Sequence, residues 1–401
     1  MSTSQDIKFK NSSNLTSSVP YIIFPESRSN NTTGEDDRLV ISLSPEAAGI
    51  FIVLYSVTII LAIVGNVLTI IVFTKGKKCR TDLRPFLLNL AVADLIMALF
   101  CIPFTFTNQL LDRWIFSPIT CPIVVFLQLT AVTASVFTNT AIGIDRFYAV
   151  AFPLKSRIIS QRHRIMIVVI WITSIAVNVI QFKVVKARES NTTQCVEDWD
   201  DESLYTRKAY TLFILFLTYI VPLTTLSITY SIVGCLLWRR TLPGQIDVLR
   251  DQQQTRSTRK IVKMLVTIVA LFGLCWLPLH AFFLTVDFNP SLISNMQLRK
   301  PIQLIYFVVH WIAMSNSFVN PIIYVFMNSN FRHDLCVLIH PSKNRSNSTV
   351  SSMTLMSDVN GFNGARRGKK LSLPVELESR TPSENLKQKL EATRIASCKA
   401  F

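Results

Sequence analysis

Apolar residues fall in seven long stretches separated by shorter polar intervals, beginning near Gly49, Phe86, Pro122, Ile165, Tyr210, Ile261 and Pro301. Each runs roughly 20 residues or more with few charges, the length a helix needs to cross about 30 Å of hydrocarbon. A segment surrounded by lipid must satisfy its own backbone N–H and C=O groups, so runs this long predict helices. An odd number of spans puts the two chain ends on opposite sides. The pattern predicts an all-α membrane protein, a seven-transmembrane helix bundle over residues 48–328, suited to passing a signal rather than to enzymatic catalysis.

The polar intervals set the orientation. Short loops rich in Lys and Arg stay in the cytoplasm. The first loop holds Lys75, Lys77, Lys78, Arg80 and Arg84, the third Lys155, Arg157, Arg162 and Arg164, the fifth Arg239, Arg240, Arg250, Arg256, Arg259 and Lys260. These odd loops therefore face inward and the N-terminus outward. The second loop is nearly neutral, with Asp112 beside Arg113, and the fourth is acidic from Glu197 to Glu202. Residues 1–47 are polar, rich in Ser and Asn, and lack an apolar signal core, so the first helix serves as the membrane signal. N-glycosylation triplets begin at Asn11, Asn14, Asn30 and Asn31 in this tail and at Asn191 in the fourth loop, on the side expected to be external, while those at Asn344 and Asn347 in the inner tail read as chance matches. Residues 329–340 read as a short amphipathic helix, and the Ser-, Thr- and Lys-rich segment 341–401 as a disordered cytoplasmic tail.

Composition agrees: 50% of residues are hydrophobic and 16% charged, against about 25% charged in a typical soluble chain. The net charge of +16 does not indicate nucleic acid, because the basic residues lie in the loops and tail beside membrane helices. Of eight cysteines, Cys121 and Cys195 are the two clearly external ones, and that side is oxidising. A disulfide between them would tie the fourth loop to the top of the third helix; two free thiols is the alternative. Cys79 and Cys398 are expected to be reduced, Cys101, Cys235 and Cys275 to pack within the membrane, and Cys336 is a candidate for palmitoylation.

Charges at mid-membrane are costly and usually functional. Asp94 is one, and Asn66, Ser135, Asn316, Ser317 and Asn320 are polar groups at comparable depth. By themselves they fit a hard-cation site, sodium being the obvious candidate, and equally a hydrogen-bond network that joins helices. Pro222, Pro278 and Pro321 interrupt the fifth, sixth and seventh stretches. Each removes a backbone hydrogen bond and supplies a pivot or a static kink.

These residues reach a recognisable pattern. Gly65-Asn66-Val67, Leu90-Ala91-x-x-Asp94, Asp145-Arg146-Phe147, Trp171, Pro222 with Tyr230, Cys275-Trp276-Leu277-Pro278 and Asn320-Pro321-Ile322-Ile323-Tyr324 together resemble a rhodopsin-like G-protein-coupled receptor over about residues 48–340. Phe331-Arg332 resembles the start of that family's eighth helix. Two departures stand out: Asp-Arg-Phe replaces the common Asp-Arg-Tyr, and Thr258 stands where some members place an acid facing the arginine. A salt-bridge lock would then rely on Asp145 alone.

The resemblance implies roles. Arg146, paired with Asp145, would hold the resting inner face closed and then meet a heterotrimeric G protein, with Tyr230, Tyr324, Asn320 and Pro321 rearranging around it. Trp276 and Phe272 would sense the ligand from above. Asp94, Ser135, Asn316, Ser317 and Asn320 resemble an allosteric sodium pocket, with no other cofactor expected, and Cys121–Cys195 matches the family disulfide. Arrestin and receptor kinases would act on the tail, and lipid would surround the bundle. Gln128 replaces the aspartate of amine receptors, and Met314 the retinal lysine of light receptors. What remains favours a peptide: the acids Glu197, Asp198, Asp200, Asp201 and Glu202 would steer a cationic ligand, Asp287 would take its arginine, and Gln128, Trp276, His280 and His310 would lie deeper. A merely solvated acidic loop is the rival reading. Ala134-Ser135-Val136-Phe137-Thr138, Cys195-Val196-Glu197-Asp198-Trp199 and His310-Trp311-Ile312-Ala313 resemble neuropeptide FF and SIFamide-type receptors, and Gln128, Asp287 and His310 the neuropeptide Y group. The expected ligand is an amidated, RFamide-like peptide. A receptor for a lipid or other non-peptide, or a seven-helix transporter or channel, are the alternatives.

Overall fold

A computed structural model describes residues 43–152, 163–189, 193–199, 204–239, 248–289 and 291–339. The glycosylation triplets, the acids Asp200, Asp201 and Glu202, and the C-terminal tail lie outside the described residues. Among the described residues, seven helices are long and apolar enough to cross a bilayer: α1 (Pro45–Lys75), α2 (Arg84–Leu111), α3 (Thr120–Ala151), α4 (His163–Val184), α5 (Arg207–Leu237), α6 (Thr258–Phe288) and α7 (Lys300–Met327). Helical structure runs past the apolar span in α6, which begins at Val248, and in α7, which begins at Met296. The compact unit containing the bundle ends at Phe331. A short helix α8 (Ser329–Ile339) begins where Asn328 Oδ1 accepts from the N–H groups of Asn330 and Phe331, which caps its first turn.

Local chemistry explains how these helices begin and bend. α1 starts at Ser44, whose hydroxyl accepts from Ala47 N–H, followed by Pro45, where a missing N–H costs nothing. Two helices widen into a π-turn just before a proline: Met97–Cys101 before Pro103 in α2, and Phe216–Ile220 before Pro222 in α5. In each the next N–H reaches back five residues, Ile102 to Met97 and Val221 to Phe216, so the chain absorbs the bond the proline ring denies it. A proline in an apolar run signals an interrupted ladder, and only packing decides how it is interrupted.

Small and amide-bearing residues hold the helices together. A Cβ on Gly65 would lie 2.9 Å from the Pro321 ring, so only glycine allows α1 and α7 to approach this closely. Asn89 joins three helices: its Nδ2 donates to Thr138 Oγ1 of α3 at 2.7 Å, and its Oδ1 accepts from Trp171 Nε1 of α4 at 2.8 Å. Between α4 and α5 the chain forms an antiparallel hairpin, β1 (Val185–Glu189) with β2 (Thr193–Glu197), Ala187 opposite Cys195. The expected acidic loop is therefore in part a sheet. Cys195 is disulfide-bonded to Cys121 at the start of α3, with Cα atoms 5.7 Å apart, and Trp114 N–H donates to Thr193 O at 2.7 Å. The pairing expected from the two cysteines is present.

Candidate functional site

Three polar constellations lie one above another in the bundle. The first is at the Arg146 end. Asp145 is buried, and its Oδ2 accepts from Arg146 Nη2 at 2.5 Å and Nε at 3.0 Å. Its Oδ1 is held by His163 Nε2 at 2.9 Å, from the first residue of α4. His163 is itself 3% exposed and packs against the Phe86 ring. The pairing of Asp145 with Arg146 matches the expected lock, but His163 holds the other oxygen of that carboxylate, a partner sequence reading missed. A histidine beside a basic loop carries no signal that it will meet an acid eighteen residues away. Tyr230 of α5 stands close to Gly143 of α3, where a Cβ would lie 3.6 Å from its hydroxyl. Tyr324 is buried with its hydroxyl unbonded, between Phe73 and Phe331.

The second constellation surrounds Asp94. The carboxylate is 3% exposed, and Oδ2 accepts from Asn320 Nδ2 at 2.9 Å. A small cavity beside it is lined by Asp94, Ser135, Asn316 and Ser317, with Phe272 and Trp276 above. Four of the five residues expected to form a cation pocket thus share one cavity, and the fifth, Asn320, bonds its carboxylate. No basic side chain lines the cavity. Ser135 Oγ and Trp276 Nε1 are buried there without a partner. A buried carboxylate with one amide donor and no counter-charge, next to an unbonded hydroxyl, has the oxygen donor set that suits a hard monovalent cation. Asn66 does not join this set: its Nδ2 donates to Ala62 O and Ser317 O, at 2.9 and 2.8 Å.

The third constellation lies at the disulfide end. Gln128 of α3 is nearly buried, and its Oε1 accepts from Thr105 Oγ1 at 2.9 Å. His310 of α7 meets Tyr55 Oη at 2.7 Å through Nδ1, stacks on Tyr306, and keeps a buried Nε2 without a partner. His280 of α6 sits between the rings of Tyr219 and Trp276, with centroids 4.9 and 6.0 Å away. Trp276 in turn is 6.2 Å from Phe272. An aromatic column therefore runs from this end toward the Asp94 cavity.

The acids of this end differ from expectation. Asp287 is not a lone rim acid: it is 3% exposed, and its Oδ1 accepts from Arg207 Nη2 of α5. The apolar pattern starts the fifth helix near Tyr210, three residues past Arg207, so it does not show that this arginine reaches α6. Glu197 is also buried and accepts from Trp199 Nε1 at 3.0 Å. Asp198 faces Arg188 at 3.2 Å and Lys186 at 3.9 Å, both on β1. The hairpin thus folds its own cations onto one of the acids that were to steer a ligand.

Of the free cysteines expected within the membrane, Cys101 is buried, Cys275 half-buried, and Cys235 exposed on the surface of the α5 span. Cys336 lies on α8.

Comparison with known proteins agrees with this geometry. The family "7 transmembrane receptor (rhodopsin family)" matches residues 65–324. The chain is 33% identical to the QRFP-like peptide receptor of Branchiostoma floridae over 312 residues, 76% of this chain and 80% of that protein. It is 33% identical to the Homo sapiens Substance-P receptor over 282 residues, 69% of this chain and 68% of that one. It is 32% identical to the Tachykinin-like peptides receptor 99D of Drosophila melanogaster over 295 residues, 70% of this chain and 55% of that one. With the family match covering well over half of the 401 residues and its motifs packed as described, the protein belongs to the rhodopsin family of seven-transmembrane receptors, multi-pass plasma-membrane proteins that are receptors and not enzymes.

Proposed function

We propose that this receptor binds a short amidated peptide at its disulfide end, facing outward, and transmits binding to a heterotrimeric G protein at its Arg146 end. The observation that carries the reading is His310: a buried imidazole nitrogen without a partner, held in place by Tyr55 and Tyr306. Leaving such a group unbonded is costly, and the terminal amide of a peptide can bond it. The N–H or the lone pair of Nε2 meets the amide's oxygen or nitrogen, whichever tautomer Tyr55 selects. An amine receptor would need an acid where Gln128 stands.

The ligand is proposed to be RFamide-like, in keeping with the likeness to a QRFP-like peptide receptor. The likeness to receptors named for tachykinin-like peptides and substance P supports a second reading, in which the peptide is tachykinin-like. Cells expressing the receptor, exposed to both classes of peptide with a G-protein readout, distinguish them. A response to neither would remove the peptide reading.

The Asp94 cavity is proposed to take sodium, held by Asp94 with Ser135, Asn316, Ser317 and Asn320. When bound, sodium supplies the positive charge that this buried carboxylate lacks. Asp94 and its amide and hydroxyl neighbours orient the site, and Trp276 links its upper wall to the ligand end. Glycosylation of the N-terminal tail, and arrestin and kinase action on the C-terminal tail, complete the proposal.

A further inference from the structure

The ion pair between Arg207 and Asp287 joins α5 to α6 at the disulfide end, where the proposed peptide arrives. Both side chains are nearly dry, at 8% and 1% exposure. The carboxylate's bonding is incomplete: Asp287 uses Oδ1 for Arg207, while Oδ2 is buried without a partner. A carboxylate facing a guanidinium can accept two parallel bonds. Here it keeps one oxygen in reserve.

We propose that Arg207 is a specificity-determining residue: an internal guanidinium that occupies the seat of a cationic ligand residue and must be exchanged for it. The proposal rests on the peptide reading. Three features support exchange. Asp287 Oδ2 lets an incoming guanidinium form its first bond before Arg207 leaves, so the carboxylate is never without a counter-ion. Arg207 is the first residue of the apolar span of α5, so a long, flexible side chain can swing from the pair into water and regain its hydration. A ligand without a cation gains nothing by opening the pair, because it would leave the buried Asp287 carboxylate without a counter-charge. Arg207 therefore lowers affinity for cationic ligands and bars neutral ones from the carboxylate. A pair closed about nine-tenths of the time would reduce the apparent affinity of the exchanging ligand about tenfold.

The test has two arms. In the first, thermal unfolding of purified receptor without ligand compares Arg207→Gln, Asp287→Asn and the double variant. Each single change should lower the midpoint, and the double change should not lower it further than the worse single. Additive losses would show that the two residues do not act as a pair and would overturn the proposal. In the second, binding is measured for an amidated peptide ending in Arg-Phe and for its citrulline-Phe counterpart, which has the same shape without the charge. Arg207→Gln should tighten the arginine peptide about tenfold and leave the citrulline peptide unchanged. Loss of affinity for the arginine peptide, an equal shift for both peptides, or no binding of either to either receptor would overturn exchange. Equal affinity of the wild-type receptor for the arginine and citrulline peptides would keep the peptide reading and sink this one alone.

Discussion

Asn66 on α1 donates from Nδ2 to the backbone carbonyl of Ser317 on α7 at 2.8 Å. That carbonyl lies four residues before Pro321, whose ring nitrogen has no hydrogen to give it. The amide side chain of one helix thus supplies the bond that another helix lacks, and Gly65 beside it allows the approach. The proline motif of α7 and the Gly-Asn motif of α1 form one joint.

Asn66→Ala should therefore destabilise the bundle, because it orphans a buried carbonyl. We expect a loss of about 1–3 kcal/mol, read as a lower thermal midpoint in detergent. Asn66→Asp, which removes the donor but keeps the shape, should be no better. A midpoint equal to that of the wild type would show that the bond contributes nothing net.

Asp94→Asn should abolish the effect of sodium on agonist binding. An ion that binds one conformation better shifts the population toward it. In the wild-type receptor, replacing an inert cation with sodium should weaken agonist binding; in the variant the two salts should give the same affinity. An undiminished sodium effect would place the ion elsewhere.

Arg146→Ala should separate binding from signalling. The residue is bonded to Asp145 at the end of the bundle opposite the disulfide, about 27 Å along α3 from Gln128. Ligand binding at the surface should remain measurable while most G-protein activation is lost. Full activation at equal surface expression would contradict the assignment.

His163→Ala should have a smaller and different effect. It frees Asp145 Oδ1 but leaves the Arg146 bonds to Oδ2 intact. Loss of one bond to a buried charge is worth about 1.5–3 kcal/mol, so the thermal midpoint should fall while agonist-driven signalling persists. Loss of signalling equal to that of Arg146→Ala would mean that the arginine is positioned through the histidine.

Much of this protein was legible from residue order because membrane solvent is a severe filter. Lipid offers no hydrogen bonds, so about twenty apolar residues in a row have one backbone solution. Seven such runs appear as seven helices near the expected starts. The two external cysteines paired for a related reason: few other partners exist on that side. Asp94, Ser135, Asn316 and Ser317 were legible as a group because polar residues at one membrane depth have little else to face.

Side-chain partners at the helix ends were decided only by the tertiary structure. There, water and protein compete for each charge, and a shift of one turn changes which wins. Asp287 reads in sequence as an acid awaiting a ligand, yet the helix that begins at Leu204 brings Arg207 onto it. Asp198 reads as a steering charge until β1 lays Arg188 and Lys186 beside it. His163 reads as one more residue of a basic loop until α4 packs against α3 and its ring meets Asp145. Residue order determined the spans, because the solvent acts on each segment alone. The pairings required three dimensions, because an ion pair depends on where two distant segments happen to end.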